Sequence, residues 1–250
     1  MTELHRKNAA IMRENYARGL GAEPNDFLTE RLVFTDRPTD IAFWCTAFAM
    51  TFGTGTVVSV APELRAFAES VAPEKHFRAV HGEYLRKLTE EGIRQGMNLG
   101  TFSGGLGFVL ARIPEVPSVP AGMSIRIADA DWMNAEQANG RFENGVGEVN
   151  VGGRSFRNQF AAVLEDSAGE PIAVGGAFDT FGMLEVGVDV VRAHRGQGLG
   201  EVVVKAVTRE ILERGQVPIY FCAATNIRSN RTALGSGYLP VCSDGTVLVL

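Results

Sequence analysis

Residues Leu184–Gly215 read LEVGVDVVRAHRGQGLGEVVVKAVTREILERG, and their order decides the fold. Val186, Val188 and Val190 alternate with small or charged residues, the period-two pattern of a half-buried strand. Arg195-Gly196-Gln197-Gly198-Leu199-Gly200 follows. Leu199, Val202, Val203, Ala206, Val207 and Ile211 then recur at helical spacing, and Gly215 supplies the stop. A strand, a glycine loop and a helix in that order make an anion site. Glycines let the backbone come close to a ligand, and N–H groups at a helix N-terminus have no partner within the helix. Arg195, with Arg192 just before it, adds positive charge beside a phosphate.

Two common phosphate loops do not fit this spacing. A dinucleotide-binding loop reads G-x-G-x-x-G, whereas here Gly200 falls one residue early. A nucleotide-triphosphate loop requires Lys-Ser/Thr after its last glycine, and Glu201-Val202 stand there instead.

The segment resembles the GNAT superfamily of N-acyltransferases, whose pattern is Arg/Gln-x-x-Gly-x-Gly/Ala between a strand and a helix. Downstream, Asn226-Ile227-Arg228-Ser229, then Ala233 and Gly237-Tyr238, resembles that family's Asn-x-x-Ser…Ala…Gly-Phe/Tyr segment, one helix and one strand further on. The resemblance covers roughly Ser124 to Leu250. It implies an α+β fold with a mixed, largely antiparallel, splayed sheet flanked by helices, acetyl-CoA as co-substrate, and no metal. It also implies that Arg195, Gly196, Gln197, Gly198, Leu199 and Gly200 hold the CoA pyrophosphate. On the same grounds the backbone of Val190 contacts the acyl carbonyl and pantetheine, and Asn226 and Ser229 contact the CoA arm.

Acyl transfer to an amine needs a group that takes a proton, and the leaving thiolate benefits from an acid. Many members of the family place a Tyr seven residues after the Asn; here that position is Ala233. For the base, Glu185 lies on the strand before the loop, close to where several members put a catalytic glutamate. A catalytic base and a salt-bridged sheet-face carboxylate are its two readings. Asp189 shares its face by period-two alternation, either to share a water or select a cationic amine with it, or as a structural carboxylate. His194 is a second base candidate and Tyr238 an acid candidate, with loop and core roles as their plain alternatives.

The sequence around this segment supplies the remaining elements. Strands are expected at Phe160–Leu164, Ile172–Phe178, Leu184–Val191, in VPIYFCAA and at Thr246–Leu250; helices are expected around Asn134–Phe142, Leu199–Arg214 and Ser229–Ser236. In Arg112–Gly122, RIPEVPSVPAG, three prolines at three-residue spacing favour an extended connector. The expected division is thus residues 1–115, a linker at 116–123, and a catalytic domain over 124–250. The first part reads as mixed α/β, with helices at Glu3–Arg18, from Glu63 and over Phe77–Gln95, and a strand near Thr56. A degenerate GNAT-like half, a substrate-binding cap and a homodimerisation surface are its open readings. Tyr84, His76 and His81 are its only isolated candidates for a site.

Composition narrows the function classes. A formal net charge of −5 argues against a general nucleic-acid binder. The charged N-terminus lacks a signal-peptide core, and the apolar run IAFWCTAFAMTF is too short to span a bilayer. Cys45, Cys222 and Cys242 have no metal-ligand spacing and suit a reducing cytoplasm. The expectation is a cytoplasmic N-acetyltransferase acting on a small-molecule primary amine by direct attack in a ternary complex. A non-catalytic acyl-CoA sensor is the alternative that Ala233 supports.

Overall fold

The computed structural model describes all residues except 39–44, 138, 152–153 and 250. In chain order the elements are α1 (Glu3–Gly19), β1 (Leu32–Asp36), β2 (Cys45–Thr51), β3 (Thr56–Val60), α2 (Pro62–Ser70), α3 (Gly82–Arg94) and β4 (Leu99–Leu110). They continue with β5 (Ser124–Ala128), α4 (Ala130–Gln137), β6 (Glu148–Val151), β7 (Arg154–Glu165), β8 (Pro171–Thr180) and β9 (Met183–Val190). The last are α5 (Leu199–Glu213), β10 (Pro218–Ala223), α6 (Ile227–Gly235) and β11 (Tyr238–Val249). The chain divides into two compact units: Met1–Asn8, Phe108–Phe221 and Asn226–Leu239 form one, and Ala9–Gly107, Cys222–Thr225 and Pro240–Leu250 the other.

The first of these, the loop unit, carries the strand order β10-β9-β8-β7-β5, with β6 paired to β7 off that path. The β8–β9 hairpin is antiparallel from Ala173↔Val190 to Thr180↔Met183. Its turn residues Phe181 and Gly182 both have positive φ, at 54° and 79°, as a tight turn matching the strand twist requires. Along β8, Val174 faces a cluster with Phe142, Val146 and Val163, while its neighbour Ala173 faces Leu199 and Val203 of α5. A Cβ on Gly175 would lie 2.8 Å from the Val203 carbonyl oxygen, so the bare glycine lets α5 lie directly on the sheet. The buried stripe of α5 is Leu199, Val203, Val204, Val207, Thr208 and Ile211; Val202 and Ala206, expected inside, are half-buried. The proline-bearing stretch has no helix or strand, and Arg209 Nη1 donates to the Pro114 carbonyl at 3.1 Å.

The helix expected around Asn134–Phe142 lies earlier, because Asp129 caps it by accepting from the Trp132 N–H at 3.1 Å. Gly140, at φ 63°, closes the stretch that follows.

In the second unit the order is β1-β3-β2-β11-β4, around a core of Ala47, Val58, Leu64, Leu85, Leu88 and Val247 among others. The expected terminal strand Thr246–Leu250 begins instead at Tyr238, and Leu250 lies outside the described residues. Gly245 and Asp244 read as breakers but are strand residues with specific partners. A Cβ on Gly245 would meet Leu85 Cδ1 at 2.7 Å, and Asp244 Oδ1 accepts from the Gly105 N–H at 2.7 Å. The expected helix Phe77–Gln95 is divided at His81 into a 3₁₀ turn, His76–Val80, and α3. The apolar run at 41–52 contains β2, buried along its whole length, while residues 41–44 lie outside the described residues. Tyr84 is a core residue donating to the Ala68 carbonyl, and His76 Nδ1 pairs with Thr56 Oγ1 at 2.9 Å.

Candidate functional site

Strands β9 and β10 are parallel neighbours over only Leu184↔Pro218 and Glu185↔Ile219, and their recorded register ends there. Beyond that point β9 keeps β8 on one side and loses β10 on the other. The 2.9 Å bond from the Val191 N–H to the Ile172 carbonyl marks 191/172 as a bonded pair of the antiparallel ladder. Alternation along that ladder directs the N–H and C=O groups of Val188 and Val190 away from β8, toward the side β10 has left.

A cavity of about 750 Å³ occupies this opening. Val188, Asp189 and Val190 line it from β9, and Asn226, Ser229 and Thr232 from α6 and its cap. Five of the six loop residues line it: Arg195, Gly196, Gly198, Leu199 and Gly200; Gln197 does not. Gly196 and Gly198 have φ of 83° and 79°, the left-handed region, and nothing lies within 4 Å of where a Cβ would stand. Gly198 is the N-cap of α5. Among the described residues, the N–H groups of Gly196 through Gly200 donate to no protein acceptor, so the loop presents bare donors beside a helix N-terminus. Arg195 folds back, its Nε donating to the Val190 carbonyl at 2.9 Å.

Asn226 caps α6, its Oδ1 accepting from the Ser229 N–H at 3.2 Å. Ser229 Oγ is 2.7 Å from the Tyr220 hydroxyl. Thr232 Oγ1 donates to the Arg228 carbonyl at 3.1 Å. A Cβ on Gly235 would come within 2.4 Å of the Glu201 carboxyl carbon, so this glycine lets α6 close onto α5.

Glu185 stands where β9 and β10 part and accepts from Thr180 Oγ1 at 3.1 Å; it is half-buried and is not among the residues lining the cavity. Asp189 lines the cavity, but its oxygens take the Asn144 N–H at 2.6 Å, the Gly145 N–H at 2.9 Å and the Asn144 amide at 2.8 Å. It therefore fastens the loop after Phe142 to β9 rather than sharing a water with Glu185. A Cβ on Gly187 would lie 2.0 Å from the Asn144 carbonyl oxygen, which explains the glycine between the two carboxylates.

Tyr238, an acid candidate in the sequence, is a core residue: its hydroxyl bonds Thr208 Oγ1 at 2.7 Å, and burial pushes its pKa well up. Ala233, at the position of the usual Tyr, is fully buried. His194 belongs to a short 3₁₀ turn and does not line the cavity. Arg228 and Arg231 do line it and were not singled out. Their positions relative to Asn226 on one short helix were the available signal. Among the described residues no group of His, Cys, Asp and Glu could hold a metal, and no helix is long and apolar enough to cross a membrane.

A family model described as FR47-like protein matches residues 179–234, the stretch that holds the glycine loop and most of the Asn226 segment. Among solved structures, a GCN5-related N-acetyltransferase from Kribbella flavida is 18% identical with a TM-score of 0.50, over 96% of this chain and 95% of that one. A Drosophila protein is 17% identical with a TM-score of 0.50, over 99% and 91%. A GCN5-related N-acetyltransferase-like protein from Streptococcus suis is 16% identical with a TM-score of 0.45; the match covers 63% of this chain and 66% of that one, just under two thirds of its length. No curated protein matches the chain. The chain has the GNAT fold, as the two motifs implied, and the likeness to the first two structures extends through both halves of the sequence.

Proposed function

We propose that this chain is an acetyl-CoA-dependent N-acetyltransferase acting on a primary amine of a small molecule. The observation that carries the reading is the loop of bare N–H groups at the mouth of the β9–β10 opening. Gly196 and Gly198 leave open space on their outer side, so a pyrophosphate can sit against the backbone from Gly196 to Gly200. Arg195 adds a positive charge there, and Val188 and Val190 offer backbone polar groups at the strand edge to an amide-bearing arm. Asn226 and Ser229 form the facing wall.

Acetyl-CoA supplies an activated thioester. The amine nitrogen attacks its carbonyl carbon in a ternary complex, the carbon–sulfur bond breaks, and CoA leaves as the thiol. Glu185, at the closed end of the opening, is the base in this reading. Along the strand it is three residues, roughly 10 Å, from Val188, so it acts through water. The chain's formal charge of −5 is compatible with a small basic amine as acceptor and disfavours nucleic acid. Three free cysteines fit a reducing, cytoplasmic setting.

The test is calorimetric titration with acetyl-CoA, NAD and ATP, alongside an Arg195→Glu/Gly198→Glu variant. Micromolar binding of acetyl-CoA alone, lost in the variant, supports the reading; no binding, or equal binding by the variant, removes it. With binding in hand, Glu185→Gln is expected to depress kcat/KM, and full retention across the pH range would remove Glu185 as the base. Buried Ala233 favours a second reading, an acyl-CoA sensor without turnover. Thiol release on screening amines separates the two.

A further inference from the structure

The cavity reaches round both faces of β9. Val188 and Val190 pack on the α5 side, whereas Asp189 lies on the opposite face with Val174, its partner across the ladder. Asn144, from the loop between α4 and β6, lines the cavity on that opposite face beside Asp189. The donor reading uses the glycine loop, Arg195, the strand backbone and α6. It gives Asn144 and Asp189 no part.

The loop is held at two depths. Phe142 and Val146 are buried in the cluster with Met133, Val163 and Val174, and the Val146 N–H donates to the Phe142 carbonyl at 3.1 Å. Between them Asn144 is exposed and is fastened to β9 through Asp189. That carboxylate accepts from the Asn144 N–H at 2.6 Å, the Asn144 amide at 2.8 Å and the Gly145 N–H at 2.9 Å. The seat beneath the loop is bare backbone: a Cβ on Gly187 would lie 2.0 Å from the Asn144 carbonyl oxygen. Gly187 is two residues, about 7 Å, from Glu185 on the same face. The pinned loop therefore sits on the strand between Asp189 and Glu185.

We propose that Asp189 is a positioning residue for acceptor specificity: it fixes the Phe142–Val146 loop as the wall that decides which amines reach the open edge of β9. It acts through the loop, since its oxygens are committed to three donors. An amine approaching on this face passes Asn144 on its way to a thioester held at the split, so a small displacement of the loop changes which amines fit. The proposal rests on the reading of the cavity as the acetyl-CoA site.

Steady-state rates with ethanolamine, benzylamine and spermidine test it, taken as ratios of kcat/KM between amines, with acetyl-CoA affinity measured by calorimetry. Such ratios do not depend on how much of a preparation is folded. Asp189→Ala frees the loop from its acceptor, and Gly187→Ala lifts it from below without touching Asp189. Both are expected to narrow the preference for the best amine over the worst about tenfold or more, with acetyl-CoA affinity within about twofold of wild type. Asp189→Asn/Asn144→Asp restores the side-chain pair with donor and acceptor exchanged, and should recover part of the preference. Unchanged ratios in both single variants overturn the proposal. So does an acetyl-CoA affinity that falls as far as the ratios move, which would put Asp189 in the donor site. A wild-type chain that binds acetyl-CoA but acetylates none of the three amines, or all of them equally, overturns it and leaves the donor site standing. No binding of acetyl-CoA removes both.

Discussion

Arg195 Nε donates to the carbonyl oxygen of Val190 at 2.9 Å, across a five-residue bend from strand to loop. The bond ties the loop to the strand edge left by β10 and holds a fixed cation beside the bare N–H groups. Arg195→Ala removes both, so acetyl-CoA affinity is expected to fall about tenfold or more, the loss of a charge-assisted bond. Arg195→Lys should recover only part of it, because a lysine cannot present a guanidinium fork to carbonyl and phosphate together. Calorimetry reads both, and an Arg195→Ala chain with wild-type affinity would remove Arg195 from the site.

Gly198 and Gly200 are expected to respond to alanine with opposite signs. At φ 79° Gly198 is in the left-handed region, where a Cβ costs about 1–2 kcal/mol, or roughly 2–8 °C in Tm for a chain of this size. That Cβ would also project into the open space where a phosphate would sit, so binding should fall with stability. Gly200 lies inside α5, and a Cβ there would first meet Thr232 Oγ1 at 3.6 Å, an ordinary contact. Gly200→Ala is expected to keep binding and to gain up to about 1 kcal/mol from helix propensity. Melting curves with and without acetyl-CoA separate the four outcomes.

The loop, α5 and the Asn226 turn were legible because glycine spacing, helical periodicity and a side-chain cap are local signals. The long β11 was not legible: Gly245 and Asp244 look like turn residues until Leu85 and the Gly105 N–H are seen to need them. β2 was hidden in an unbroken apolar run, which has no period to mark a strand. In the site, Asp189 shares a face with Glu185 by alternation, yet its three donors come from a loop some 45 residues earlier, a contact no spacing rule reveals. Arg228 and Arg231 stayed unremarked because surface arginines near a helix start are common; only the cavity and the absence of carboxylate partners among the described residues set them apart.

Asp244 predicts a pH effect on stability. Burial raises its carboxyl above the ordinary value of 3.8, and the Gly105 N–H only partly opposes this. A carboxyl raised in the folded state binds more protons there than when unfolded, so its contribution to stability is present below 3.8 and is lost as pH rises through the raised value. Asp244→Asn keeps a carbonyl oxygen for the Gly105 N–H without the charge. It is expected to raise Tm at neutral pH and to have little effect at a pH below 3.8. A Tm at neutral pH unchanged or lowered by the substitution would contradict the sign.

Ala233 and Ser229 together shape the last prediction. Ala233 is fully buried, so placing the family's usual Tyr there would overpack the interior around α6, at a cost of about 1–3 kcal/mol or more, instead of supplying an acid. Two hydroxyls line the cavity from the same helix. Thr232 spends its proton on the Arg228 carbonyl, whereas Ser229 Oγ shares one with the Tyr220 hydroxyl at 2.7 Å. On the proposed reaction the departing sulfur takes up a proton; Ser229 is the hydroxyl placed to give it, taking one from the Tyr220 hydroxyl, which regains its proton from solvent once CoA has left. Ser229→Ala is therefore expected to lower kcat about tenfold or more with a smaller change in acetyl-CoA affinity, and Tyr220→Phe to lower kcat less. Thr232→Val should leave kcat near wild type. Equal kcat in Ser229→Ala and wild type would mean that water, not this hydroxyl pair, protonates the leaving thiolate.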